Sequence, residues 1–212
     1  MTSRSKTQST NAKTLLIWLG GAVAVIGLVA IVVAGAGSVD NSGHPDLQGD
    51  PQIVGDSLAA LPSGAQVDPA AGEPVPEVNG ADFDGTPVSI TDNGKAKIIV
   101  FLAHWCPNCQ QEVPEVTEWL EQNTVPDNVE ILSVATSISS ARDNFPPSDW
   151  LEDENWPVPV VLDSVASDIG VAYGVSAFPL WAMVDVDGNL VTRITGAGQV
   201  DLNFWTNALA AA

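Results

Sequence analysis

A continuous apolar run, followed at once by a pair of cysteines, constrains the fold of this chain more than any other feature. The run covers residues 97–103 (Lys-Ile-Ile-Val-Phe-Leu-Ala). It lacks the alternation of a half-exposed strand, so it predicts a central β-strand that is covered on both faces. Residues 106–123 then space their apolar side chains as an amphipathic helix does. Cys106 and Cys109 therefore fall where a buried strand ends and a helix begins.

The chain after residue 73 alternates strand and helix patterns. Residues 78–83 and 87–90 flank Asp84-Gly85-Thr86, which predicts a hairpin. Further strands are predicted at residues 128–135, 158–162, 180–186 and 190–194, and further helices at residues 148–154, 167–173 and 201–209. This order predicts one α/β domain with a mixed sheet, spanning residues 73–212.

The first 37 residues have the pattern of a membrane anchor. Residues 1–14 carry three cations and no acid, and the next 22 residues carry no charge. A helix of that length is about 33 Å long, which matches a hydrocarbon core of about 30 Å. The positive-inside bias predicts a cytoplasmic tail at residues 1–14, a transmembrane anchor at residues 15–37 and an extracytoplasmic domain.

Two further features of the N-terminal region are a possible cleavage site and a linker-like composition after the apolar segment. Ala34-Gly35-Ala36 is a small-residue pattern that a signal peptidase could cleave, and cleavage would also export the domain. Residues 38–72 contain no aromatic residue and are rich in Gly, Pro, Asp, Ser and Ala. This composition predicts a flexible linker between the anchor and the domain.

Charge and cysteine content exclude several classes of function. The formal net charge is −19, and all 26 acidic residues follow Gly37, where only four cations oppose them. Such a surface repels phosphate backbones, so no nucleic acid partner is expected. Two cysteines cannot complete a four-ligand zinc site alone, and neither His44 nor His104 is placed to help. We expect no metal and no other cofactor.

The cysteine motif predicts redox chemistry. Unpaired backbone N–H groups and the helix dipole stabilise a thiolate at a helix start, where Cys106 lies. Cys109 follows one turn later, near enough to form a disulfide with Cys106, and Pro107 suits the first helical turn. A static structural disulfide is the alternative, but a four-residue loop restricts the unfolded chain little. The position of the pair favours a redox-active disulfide.

Residues 101–114 (Phe-Leu-Ala-His-Trp-Cys-Pro-Asn-Cys-Gln-Gln-Glu-Val-Pro) resemble the thioredoxin superfamily. They are most similar to its membrane-anchored, extracytoplasmic TlpA/ResA-like branch. The resemblance covers about residues 73–209. It implies a thioredoxin-like α/β fold with an N-terminal β-hairpin and an inserted strand–helix element, which residues 126–163 would supply.

The resemblance also implies roles for individual residues. Glu112 would accept the proton of Cys109, although an ordinary exposed helix glutamate is the alternative. Pro179 would be a cis-proline facing the cysteines, and the backbone of Phe178 would pair with a substrate strand. Trp105 would shield the disulfide. The residues expected to contact substrate are Trp105, Pro107, Phe178 and Pro179.

The sequence departs from the family pattern in three places. Val100 stands where cytoplasmic thioredoxins carry a buried aspartate, and Leu180 with Trp181 follows the expected cis-proline. His104 precedes Trp105, where we expect it to be an exposed bystander.

These features predict an extracytoplasmic, membrane-tethered oxidoreductase that reduces disulfides in exported proteins. The resemblance implies apocytochrome c as one candidate substrate and a transmembrane carrier as the electron donor. A disulfide-forming oxidase with the same site is the nearest alternative. A copper-binding assembly module and a non-catalytic scaffold domain are the others.

Overall fold

The computed structural model describes residues 49–212. The predicted tail and anchor, and the first part of the predicted linker, lie outside the described residues. The elements in chain order are β1 (Gln52–Val54), β2 (Glu77–Ala81), β3 (Pro87–Ile90), β4 (Ala96–Leu102), α1 (Pro107–Gln122), β5 (Val129–Ala135), α2 (Pro147–Asp153), β6 (Val160–Leu162), α3 (Asp168–Ala172), β7 (Leu180–Val184), β8 (Leu190–Thr195) and α4 (Leu202–Ala210).

A five-stranded mixed sheet in the order β6-β5-β4-β7-β8 forms the centre of the domain. Strand β4 pairs in parallel with β5 and antiparallel with β7. Every residue of β4 is buried, as its unbroken apolar run predicts. Because β7 runs antiparallel to β4, the first residue of β7 lies at the carboxyl end of β4. This edge of the sheet brings the cysteine motif and Pro179 together.

Helices and loops cover the sheet on both sides. Successive β4 side chains point to opposite faces, so Ile98 and Val100 join one hydrophobic cluster while Ile99 and Phe101 join the other. The first cluster includes Val113 from α1, and the second includes Ile169 from α3. Burial on both faces fixes β4 as the rigid support for the loop that follows it.

The predicted hairpin is present and belongs to a second sheet. Strands β2 and β3 pair antiparallel, with Val78 opposite Ile90. Strand β1 adds to the other edge of β2, with Ile53 opposite Val78. This third strand lies within the region that the sequence predicted as linker.

The predicted linker boundary is therefore wrong for residues 49–72. Leu58, Leu61 and Ala70 are buried in the second hydrophobic cluster. The backbone N–H of Leu58 donates to the Ala172 carbonyl at 2.8 Å. The composition suggested a solvated tether. These few apolar residues instead pack against the face of the sheet that α3 also covers.

A buried ion pair fastens the same segment to β8. The Arg193 guanidinium donates to both carboxylate oxygens of Asp68, at 2.9 and 2.7 Å, and to the Tyr173 carbonyl at 2.7 Å. Burial alone would raise the pKa of Asp68. The hydrogen bonds from Arg193 and from the Ala70 N–H outweigh burial and hold this pKa below its usual value. The domain thus begins well before residue 73.

Within residues 49–212, no helix is long and apolar enough to cross a bilayer. The anchor predicted at residues 15–37 precedes this range and stays a prediction.

Candidate active site

The two cysteines lie at the start of α1, where the sequence placed them. Cys106 is the N-cap residue and Pro107 is the first helical residue. Cys106 keeps 8% of its surface exposed, whereas Cys109 has none. Both are free thiols in this structure. The disulfide between them stays a prediction about the oxidised state.

The backbone before Pro179 faces this pair. The Phe178–Pro179 peptide bond is cis, as predicted. The Cys106 thiol donates to the Phe178 carbonyl over 3.7 Å, and the Asn108 side-chain amide donates to the same oxygen at 3.5 Å. The sequence did not single out Asn108. The site thus places a carbonyl acceptor against the Cys106 sulfur.

Cys109 is held as a protonated thiol. Burial raises the pKa of Cys109 most strongly, and the neighbouring Cys106 sulfur and the Glu112 carboxylate raise it further. The two cysteines are therefore unequal: Cys106 keeps a small accessible fraction, whereas Cys109 has none and reacts only after its proton has been removed.

Glu112 is buried rather than exposed, with 3% of its surface accessible. Its Oε1 accepts from the Trp181 indole at 3.0 Å, and its Oε2 accepts from the Gly198 N–H at 2.6 Å. Burial raises the pKa of Glu112, and these two bonds oppose that rise. The alternative of an ordinary exposed helix glutamate is wrong. Trp181, noted from sequence only as a departure, proves to be a partner of this carboxyl.

A surface cleft of about 210 Å³ opens beside Glu112, with Glu115, Trp119 and Asp201 among its other lining residues. Among the described contacts, no direct hydrogen bond joins Glu112 to Cys109. The cleft offers a route by which water can reach the carboxyl and carry a proton.

His104 is also buried, with 1% of its surface accessible, so the expectation of an exposed bystander is wrong. Its Nδ1–H donates to the Asp143 carbonyl at 2.7 Å, and its Nε2 accepts from the Ser139 N–H at 3.2 Å. The acceptor role of Nε2 requires the neutral ring, and burial lowers the pKa of His104. The residues that bury it come 35 and 39 positions later, beyond any local pattern.

Trp105 links the motif to the same downstream loop. Its indole N–H donates to the Ser137 carbonyl at 2.7 Å. Its ring meets Phe178 edge to face at 6.0 Å between centroids, and Arg142 lies over it with Cζ 4.7 Å from the centroid. Trp105 and Phe178 thus contact each other beside the cysteine motif, and their role in binding substrate stays a prediction.

In the part of the chain that the structure describes, no three His, Cys, Asp or Glu side chains lie close enough together to hold a metal ion.

An outer and a buried thiol at a helix start, opposite a cis-proline on a mixed α/β sheet, define a thioredoxin-fold thiol–disulfide oxidoreductase. The family model described as Redoxin matches residues 70–207. The chain belongs to this Redoxin family and is a ResA-like member of the thioredoxin superfamily.

Individual relatives agree with this assignment. The chain is 30% identical over 127 residues to the thiol-disulfide oxidoreductase ResA of Bacillus thuringiensis, covering 59% of this chain and 69% of that protein. It is 26% identical over 142 residues to the thiol:disulfide interchange protein DsbE of Pseudomonas aeruginosa, covering 67% and 68%. A thiol:disulfide interchange protein of Chlorobium tepidum has the same fold, with a TM-score of 0.54, 22% identity and coverage of 66% of this chain and 97% of that one.

Proposed function

We propose that this oxidoreductase reduces disulfides in exported proteins, working outside the cytoplasm and tethered by residues 15–37. The observation that carries the chemistry is the placement of Cys106 at the N-cap of α1, against the Phe178 carbonyl and three residues before the buried Cys109. The extracytoplasmic location is supported by the charge and apolar pattern of residues 1–37.

The first step is attack by the Cys106 thiolate on a substrate disulfide. One substrate sulfur forms a mixed disulfide with Cys106, and the other leaves as a thiolate that takes a proton from water. Trp105, Pro107, Phe178 and Pro179 would contact the substrate chain on either side of the reacting sulfur.

The second step releases the reduced substrate. Cys109 loses its proton to Glu112, directly or through water from the adjoining cleft, and attacks the Cys106 sulfur. The second substrate sulfur leaves as a thiol, and a Cys106–Cys109 disulfide remains. Two electrons have then passed to the substrate, so a donor must reduce the enzyme. A transmembrane carrier is the donor that the tethered location favours.

Disulfide reduction by the full chain tests the exchange chemistry. Pre-reduced protein should reduce insulin or a disulfide-bonded peptide, and Cys106→Ser should abolish this activity. Cys109→Ser should instead accumulate mixed disulfides with substrates, because the second step is blocked. A fully active Cys106→Ser variant would contradict the mechanism.

The direction of electron flow is tested by the reduction potential. Thioredoxin-like pairs range from about −270 mV for reductants to about −120 mV for oxidants. We expect a value near −250 mV or lower for the Cys106–Cys109 pair. A value near −120 mV would instead support the disulfide-forming oxidase.

Fractionation of cells tests the location. The full chain should remain with membranes after alkaline carbonate washing, and its domain should be accessible to protease only from the extracytoplasmic side. A chain that begins at residue 38 should lose membrane attachment. Trapping by the Cys109→Ser variant in the same cells would identify substrates, with apocytochrome c as the candidate that the family resemblance suggests.

A further inference from the structure

The loop from Ser137 to Pro146 is fastened to the redox motif at several points. His104 bonds to the backbone of Ser139 and Asp143, as described above. The Asn144 side chain donates to the His104 carbonyl at 3.3 Å, and the Trp105 indole donates to the Ser137 carbonyl. The loop therefore has a fixed position beside Cys106.

This loop presents one cation to the substrate side of the site. Arg142 is exposed, and its guanidinium lies over the Trp105 ring. Trp105 in turn contacts Phe178, whose carbonyl meets the Cys106 sulfur. The guanidinium thus belongs to the same patch as the reactive atom.

Arg142 differs from the other three cations of the described chain. Arg193 is buried against Asp68, and Lys97 is buried at the start of β4. Lys95 pairs with Glu130 at 3.5 Å. Within residues 49–212, no carboxylate oxygen lies within 4.0 Å of the Arg142 guanidinium. A guanidinium held over an indole ring can still direct its N–H donors at a carboxylate.

We propose that Arg142 is a specificity-determining residue that binds a carboxylate next to the reactive cysteine of the substrate. The inference rests on the function proposed above and names its substrate class: disulfides flanked by Asp or Glu. A planar guanidinium can grip a carboxylate with two parallel N–H donors. On so acidic a chain, this local cation also offsets the repulsion that an acidic segment would meet near the sulfur.

The test uses one synthetic peptide with an internal disulfide, made with Glu or with Gln beside the first cysteine. The rate at which the pre-reduced full chain reduces each peptide is divided by its rate with dithiothreitol, which removes the intrinsic reactivity of the disulfide. We expect the wild type to prefer the Glu peptide about two- to fivefold at low salt, the range for one partly exposed ion pair. The preference should shrink as salt is added.

Two variants locate the cause of the preference. Arg142→Gln should bring the ratio of the two rates to about one, and Arg142→Lys should retain part of it. Lys95→Gln is the matched control, because it also removes one positive charge. Lys95 precedes β4 and Cys106 follows its far end, and seven extended residues span about 23 Å. This control should keep the wild-type ratio.

The possible outcomes separate this inference from the proposed function. Equal rates on both peptides, or a preference that survives in Arg142→Gln, would overturn the role of Arg142 while leaving disulfide reduction intact. If the wild type reduced neither peptide while dithiothreitol reduced both, the proposed function would fail, and the inference would fail with it.

Discussion

Cys109 and Glu112 lie one turn apart on α1, buried side by side, and the charge of the carboxylate adds to the burial that raises the pKa of Cys109. Two negative charges so close together in a buried site would repel strongly. Moving the proton from the thiol to the carboxyl leaves a single charge on the sulfur. Cys109 therefore becomes a thiolate more readily when the carboxyl takes up the proton than when the carboxyl stays charged, and this couples the two groups in the second step.

Replacing Glu112 by Gln should separate these two effects. Without the negative charge, the pKa of Cys109 should fall, because one of the causes that raise it is gone. Resolution of the mixed disulfide should nevertheless slow, by about 10²-fold or more, because the proton acceptor is lost. Alkylation of Cys109 against pH, in a Cys106→Ser background, measures the pKa, and stopped-flow release of a labelled peptide measures the resolution rate. An unchanged alkylation midpoint would contradict the coupling.

Trp181 is expected to hold the Glu112 carboxyl in place. Trp181→Phe removes the indole that donates to Oε1, which should raise the pKa of Glu112 further. A buried acceptor left without a donor costs about 1–3 kcal/mol of unfolding free energy. Urea unfolding measures this loss, and the infrared carboxyl band against pH measures the protonation of Glu112.

Trp119→Phe is the matched control for this substitution. Within the described residues, its indole N–H has no hydrogen-bond partner, so the variant loses packing alone. Equal losses of stability in the two variants, with no shift of the carboxyl band, would argue against a positioning role for Trp181.

The sequence predicted the reacting residues at this scale but not their partners. Cys106, Cys109 and Pro179 carry signals in their own motifs. Glu112 is bonded instead by residues 69 and 86 positions away. Such contacts depend on how β7 and the loop after β8 pack against α1, which no local periodicity encodes. His104 was misjudged for the same reason.

Among the elements, the strands and helices were largely predictable from the sequence, and the loop before α2 was the least predictable. β3, β5 and β7 begin within one residue of their predicted positions, because apolar runs and turn residues mark them. The loop from Ser137 to Pro146 has no such periodicity. Its position comes from hydrogen bonds to His104 and Trp105, so its stability should depend on those side chains.

Removing the imidazole should loosen this loop. His104→Ala deletes the bonds to Asp143 and Ser139, so trypsin should cleave after the exposed Arg142 faster, by at least about fivefold. Cleavage after Lys95, outside the loop, serves as the internal reference. An unchanged ratio of the two cleavage rates would show that the loop is held by other contacts.

The pH dependence of stability gives a second measurement of this contact. Burial lowers the pKa of His104 in the folded state, so the folded protein binds this proton less readily than the unfolded chain does. The stabilisation is complete above the ordinary histidine pKa of 6.5 and is lost as the pH falls through the lower folded value. Wild type should therefore lose more unfolding free energy than His104→Ala on acidification below about pH 6.5. Parallel curves would contradict this.

At the scale of the whole domain, composition misplaced the N-terminal boundary. Residues 49–72 have no aromatic side chain and many turn formers, which is typical of a linker. A few long-range contacts outweigh that composition: β1 extends the small sheet, Leu58 and Leu61 fill the core beside α3, and Asp68 neutralises Arg193. These contacts together hold a segment whose composition looked solvated.

A chain beginning at residue 73 should therefore be much less stable than one beginning at residue 49. Truncation leaves Arg193 buried without its carboxylate, which by itself costs about 3–5 kcal/mol, and it uncovers apolar surface on α3 and β2. Because a domain of this size is stabilised by only about 5–15 kcal/mol, the shorter chain should unfold at a far lower urea concentration or fail to fold. Asp68→Asn in the longer chain isolates the ion pair and should lie between the two. The chain from residue 73 could instead unfold at the same urea concentration as the chain from residue 49. The contacts of residues 49–72 would then add nothing to the stability of the domain that presents Cys106, and these residues would be an accessory tether.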